Sequence, residues 1–281
     1  MSTFRIVRQA LMLTSVCAAV QLVACGGGGG HGSLPSTTST SGVTQLWILQ
    51  GPGLEAQAMA TNPEGIAFFS NPSITVMYPV RANVGAPSSW RVLLWQKYTS
   101  FASFQSAIQT GMVPAGTNVV GYDDEAWSLT PANEQRDPVG YTIRFAKLAH
   151  QNGYGMISMP SENLMQAMFP GQDKFASFIT YGMATSVAPY VDYYEIQSQD
   201  LETSASSYAS FTQTIVGQVH SANAAVIITG GLSTSIPNEP QITPANIDAV
   251  VAASFSSVAG YWLNIVGATD PIAFAALANL P

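Results

Sequence analysis

Charge is scarce in this chain: only 9% of its 281 residues are Asp, Glu, Lys or Arg, against roughly 25% in an ordinary globular protein. The 16 acids outnumber the 9 Lys and Arg residues and give a net charge of −7. That leaves no basic surface to neutralise phosphates, so nucleic acid is not an expected partner. Cysteine and histidine are equally thin, at 2 and 3 residues. A Ser-His-Asp triad or a histidine-rich metal centre cannot readily be assembled from them. No Gly-x-Ser-x-Gly elbow, His-Glu-x-x-His, Walker loop or dinucleotide fingerprint after a strand is present. No cofactor and no metal are expected. What the chain does have is apolar residues, 47% of the total, enough to pack a sizeable core.

Arg5 and Arg8 precede a mostly apolar run, Ala10 to Ala24, which is too short to span a bilayer stably and reads as an export signal. The run ends Leu22-Val23-Ala24-Cys25, with Gly26 to Gly30 following, and resembles the lipobox of bacterial lipoproteins. The resemblance implies that residues 1–24 are removed and that Cys25 is acylated, attaching the protein to the outer membrane of the bacterial envelope. The net charge then moves from −7 to −9. Cys17 leaves with the signal and no disulfide pair remains. Residues 25–44, rich in Gly, Ser and Thr, form a tether that also contains His31.

From 45 to 281 no second linker interrupts the composition, so one domain is expected. Short apolar runs bounded by Gly, Pro and polar residues occur at 46–50, 74–80, 91–95, 118–122, 155–159, 193–197, 226–229 and 260–265. From the fourth run onward, helix-period segments at 138–150, 173–186, 205–220, 245–256 and 271–280 separate the runs or close the chain. Two helix-to-strand joints align, with His150 and His220 70 residues apart, the length of two βα repeats. Alternating strands and helices predict an α/β fold, a TIM (β/α)8 barrel. The segment 81–90 is too short for a crossover helix, so distortion is expected there, with strands two and three as an antiparallel hairpin the alternative.

Barrel chemistry belongs at the C-terminal ends of the strands. The fourth run ends Tyr122-Asp123-Asp124-Glu125-Ala126-Trp127, three acids gathered where acids are rare. Such crowding raises at least one carboxyl pKa, which suits a general acid near neutrality. Glu125 is the candidate proton donor and Asp123 the neighbour that tunes it. After the sixth run, alternation puts Tyr193, Glu195, Gln197 and Gln199 on one face. Two strand spacings of about 4.8 Å set Glu195 ~10 Å from the fourth strand, near the separation of an inverting carboxylate pair. Glu195 is therefore the candidate base or stabiliser. For both Glu125 and Glu195 a purely structural role, as a loop cap or a buried barrel carboxylate, stands beside the catalytic one. Tyr122, Trp127, Tyr193, Gln197, Gln199, Trp262, Asn264 and Gln50 are the expected saccharide contacts, through ring stacking and paired amide donors and acceptors. Trp47 offers a further flat face, and Ser161, Glu162, Ser233 and Thr234 also follow strands.

Asp123-x-Glu125 is similar to the tail of the Asp-x-x-Asp-x-Asp-x-Glu motif of chitinase-like family eighteen glycosidases, with Asn118 and Gly121 standing where that family has Asp. Tyr122-Asp123-x-Glu125-x-Trp127 followed by Thr130-Pro131 and Glu134-Gln135 resembles a family of uncharacterised bacterial secreted proteins with glycosidase-like barrels. The resemblance covers roughly residues 90 to 266 and implies a barrel, a carbohydrate ligand and a glycosidase-like hydrolase. The competing expectation is a noncatalytic carbohydrate-binding or envelope scaffold lipoprotein on the same fold.

Overall fold

The computed structural model describes residues 45–50, 54–82, 84–235, 242–265 and 270–280. The expected signal (1–24) and the tether with Cys25 and His31 (25–44) lie outside the described residues. Residues Ser41–Pro281 form one compact unit.

Along the chain the elements are β1 (Gln45–Leu49), α1 (Leu54–Thr61), α2 (Pro63–Phe69), β2 (Ile74–Pro79), β3 (Arg91–Tyr98), α3 (Phe101–Gln109) and β4 (Val119–Tyr122). Then come α4 (Ala132–Gln135), α5 (Pro138–Gln151), β5 (Gly155–Ser158), α6 (Asn163–Met168), α7 (Lys174–Tyr181), α8 (Met183–Val187) and β6 (Tyr193–Ile196). The chain finishes with α9 (Ala205–Ala222), β7 (Ile227–Ser233), α10 (Pro244–Ser254), β8 (Gly260–Asn264) and α11 (Asp270–Leu277). The eight strands pair in sequence order into a closed barrel, and every pairing is parallel. The fold is a TIM barrel.

Alternation along the strands sorts side chains into two cores. Leu46, Ile48, Met77, Trp95, Val119, Ile157, Met159, Tyr193 and Trp262 fill the barrel interior. Their outward neighbours, such as Trp47, Tyr78, Val120, Tyr194 and Tyr261, pack against the helices. Each large apolar side chain so enclosed stabilises the fold by roughly 1.5–3 kcal/mol. Trp47, considered above as a sugar platform, belongs to the outer layer, with its ring against Phe68 at 5.2 Å and Tyr261 at 5.5 Å.

Strands two and three are parallel, Thr75 opposite Arg91 and Pro79 opposite Trp95, which corrects the hairpin alternative. The link needs no helix because its own aromatics fill the space: Trp90 packs on Phe69 and Tyr78, and Tyr78 Oη donates to Val84 O at 2.7 Å. The continuous helix expected over 173–186 is two helices. Gly182, at φ 69°, ends α7 in the left-handed conformation and begins α8. Local capping sets several starts: Asp137 accepts from Gly140 N before Pro138 opens α5, and Thr243 and Asn246 form a reciprocal box at α10. At the N-terminal end, His150 bonds Asp192 at 2.8 Å just before β6, and His220 meets Val226 O at 3.2 Å just before β7. Both histidines are therefore remote from the functional mouth.

Candidate active site

At the C-terminal mouth the inward alternation turns polar. On β3 it runs Leu93, Trp95, Lys97, and from β4 it reaches Asp123. Lys97 Nζ and Asp123 Oδ2 are 2.7 Å apart, with the carboxylate side chain only 5% exposed. Gln197, one residue past β6, donates from Nε2 to Asp123 Oδ1 at 3.2 Å and to Met159 O at 2.8 Å. Asp123 is thus held from both sides, by an ammonium and by an amide.

Glu125 sits in the loop after β4, and that loop is tied from within. Thr130 Oγ1 accepts from Glu125 N and from Trp127 Nε1 and donates to Thr99 O. Gln135 Nε2 donates to Trp127 O and Thr130 O, both at 2.7 Å. From α6, Asn163 accepts Ala126 N at 2.7 Å and donates to Glu125 Oε2 at 3.2 Å. Burial, then the charge of Asp123, pushes the Glu125 carboxyl up to about 7, against the smaller opposing effects of Asn163 and Lys97. A carboxyl titrating there is a competent proton donor at neutral pH.

A third group faces these two. Lys174, the first residue of α7, donates to Glu162 Oε1 at 2.6 Å and also to Asp200 Oδ2. Burial raises the Glu162 pKa, an effect only partly offset by Lys174. Burial alone would lower the Lys174 pKa, but its two carboxylate partners outweigh that and raise it.

These groups line one cleft of about 490 Å³. Asp123, Glu125, Trp127, Gln197, Gln199, Trp262, Asn264 and Gln50, all expected from sequence, are brought together there, joined by Ser161, Glu162 and Ser233. Gln199 arrives differently from expectation: β6 stops at Ile196, and a short 3-10 turn over Gln199–Leu201 carries it.

Three expected site residues lie elsewhere. The Tyr122 side chain points outward from β4, its ring stacked on Phe145 at 4.9 Å and its hydroxyl donating to Glu134 Oε2 at 2.8 Å. Alternation puts it on the helix side of the wall, opposite Asp123. Tyr193 is inward but belongs to the apolar layer below the cleft. Glu195 also faces inward, yet it is fully buried beneath the cleft floor. Neither of its carboxyl oxygens has a hydrogen-bond partner among the described residues. Burial, reinforced by Asp123, Glu162 and Glu125, raises its pKa well above the ordinary carboxylate range. Enclosed in this way, it is out of reach of an attacking water, which corrects the expectation of Glu195 as an accessible base.

Sequence reasoning passed over Lys97, Asn163, Lys174 and Asp200. Lys97 was signalled by the same two-residue alternation once β3 continues past Trp95. The others come from loop and helix starts, where no period announces a direction. Glu134, part of the quoted motif, is structural: buried, it accepts from Phe101 N and Ala102 N and so caps α3.

Among the described residues no cluster of three or more His, Cys, Asp or Glu side chains is arranged to hold a metal ion. No protein-family model matches the chain, and no curated protein matches it. Among solved structures it is similar to triosephosphate isomerase from Bartonella henselae, at 12% identity over 84% of this chain and 97% of that one, TM-score 0.43. It is likewise similar to a family 51 α-L-arabinofuranosidase from Bifidobacterium longum, at 10% identity over 80% of this chain and 66% of that one, TM-score 0.43. The closed eight-strand pairing defines the fold, and neither likeness bears on a reaction.

Proposed function

We propose that this barrel is a glycosidase-like hydrolase acting on a polysaccharide or oligosaccharide, with Glu125 as the proton donor to the leaving oxygen. The carrying observation is the place of the Glu125 carboxyl, pushed up to about 7, at the open mouth of a barrel and facing a cleft lined by two tryptophans. The Asp123 carboxylate beside it raises the affinity of Glu125 for its proton. Trp127 and Trp262 offer flat faces to pyranose rings, and Gln50, Gln197, Gln199 and Asn264 offer amides to hydroxyls.

Glu125→Gln tests this reading. Loss of turnover by at least about 100-fold with saccharide binding preserved supports it, and a wild type that turns over no member of a broad glycan panel overturns it. The second reading, a noncatalytic saccharide binder or envelope scaffold, is favoured by one observation: Asp123 and Glu162 are already engaged by lysines, leaving no free base in the cleft among the described residues. Export and acylation at Cys25 belong to the same proposal, and Cys25→Ser is expected to move the protein from the membrane fraction to the soluble one.

A further inference from the structure

Both ammonium groups of the cleft are already taken. Lys97 is paired with Asp123 at 2.7 Å. Lys174 is shared between Glu162, at 2.6 Å, and Asp200. Against these two cations stand four carboxyl groups, Asp123, Glu125, Glu162 and Asp200, and among the described residues no arginine lines the cleft. Even with Glu125 protonated, the lining carries one more negative than positive charge. The pairs cannot easily be opened, because the Asp123 and Glu162 side chains are 5% and 8% exposed. A carboxylate that lost its lysine would be left buried without compensation, which is strongly unfavourable.

The remaining polar groups are neutral. They include the amides of Gln50, Gln197, Gln199 and Asn264 and the hydroxyls of Ser161 and Ser233, which pair with sugar hydroxyls without asking for charge. We infer that the cleft takes uncharged, hydroxyl-bearing saccharide units and turns away uronic-acid and sulfated ones. This rests on the saccharide reading above and narrows its substrate class. A uronate or sulfate entering the cleft would meet no free cation among the described residues. It would either compete with buried carboxylates for their lysines or lie unpaired beside Asp200.

The test uses a glycan array at low ionic strength, where charge effects are least screened. The array holds neutral glycans beside their matched uronate and sulfated counterparts, and is probed with the protein and with Asp200→Asn. The Asp200 side chain is 38% exposed, so the variant retains the fold, checked by circular dichroism. The expected result is retention of neutral members about tenfold or more above their anionic counterparts. In Asp200→Asn, which removes one of the two partners of Lys174, the ratio of anionic to neutral retention is expected to rise about threefold or more. Anionic glycans retained as strongly as neutral ones, or a ratio unmoved by Asp200→Asn, overturns the inference while leaving the saccharide reading in place. Retention of no glycan at all removes that reading and this inference with it.

Discussion

Lys97 Nζ and Asp123 Oδ2 meet at 2.7 Å across the ends of β3 and β4, so the carboxylate beside the candidate proton donor enters the cleft with its charge compensated. Replacing Lys97 by Met leaves a nearly buried carboxylate without its cation. The expected loss of stability is about 2 kcal/mol, reduced from the fully buried case because the lysine side chain is 17% exposed. Urea unfolding of Lys97→Met at neutral pH measures it, and an unchanged midpoint counts against the pair as a stabilising contact.

The Glu125 carboxyl gives a pH dependence of definite sign. As a proton donor it is active when protonated, so turnover falls as pH rises through about 7. The Asn163 amide donates to its Oε2 at 3.2 Å and favours the ionised form. Asn163→Ala therefore moves the alkaline limb of the kcat/KM profile to higher pH, by some tenths of a unit to about one unit. A limb moving to lower pH contradicts this account of Glu125.

Glu202 supplies a stability prediction from just behind the cleft wall. It is buried, its Oε1 accepts from Ser233 N at 2.6 Å, and burial pushes its carboxyl up to about 9. A raised carboxyl pKa means that the folded state keeps a proton which the unfolded chain releases above its ordinary value. This group's contribution therefore falls as pH rises from about 4.5 to about 9, by up to about 1.4 kcal/mol per pH unit. Glu202→Gln retains an acceptor for Ser233 N and does not titrate. Its urea midpoint is expected to vary less between pH 5 and 9 than that of the wild type, and parallel curves for the two proteins refute the assignment.

Two glycines facing their neighbours closely separate backbone from side-chain crowding. A Cβ on Gly260 would fall within the van der Waals sphere of the Leu46 carbonyl oxygen, where β8 closes on β1. A Cβ on Gly231 would meet the tips of Glu195 and Gln199, at 2.6 and 2.8 Å. Side-chain tips can move and strand backbone cannot. Gly260→Ala is therefore expected to cost more than about 3 kcal/mol or prevent folding, and Gly231→Ala about 1–3 kcal/mol. Thermal unfolding of both variants decides it, and equal losses would show that closure tolerates a methyl group.

Much of the fold was legible because a parallel barrel strand is an apolar run with an alternation, and both signals survive in a chain with few charges. All eight runs became strands. The early helices were harder to see. In α3 only Phe104 is buried, so its period is faint, and the described residues of the second crossover form no helix. Asp123 and Gln197 were found because each continues the alternation of its strand. Glu195 obeys the same rule but lies one step too deep, and alternation gives a side chain's direction without its height along the barrel axis. Lys174 and Asn163 start helices, and their reach into the cleft depends on where the loops set those helices down, which no local pattern records.

The loop that carries Glu125 and Trp127 is bound by Thr130 and Gln135, both within the same short stretch of chain. The acid and its aromatic neighbour consequently travel as a single cassette, tied within itself and pinned from outside by Thr99 and by Asn163 of α6. Gln199 comes from the turn after β6, and Ser233, Trp262 and Asn264 from the ends of β7 and β8. Evolution or an engineer can recut that far wall for a new ligand while the proton-delivering piece stays as it is.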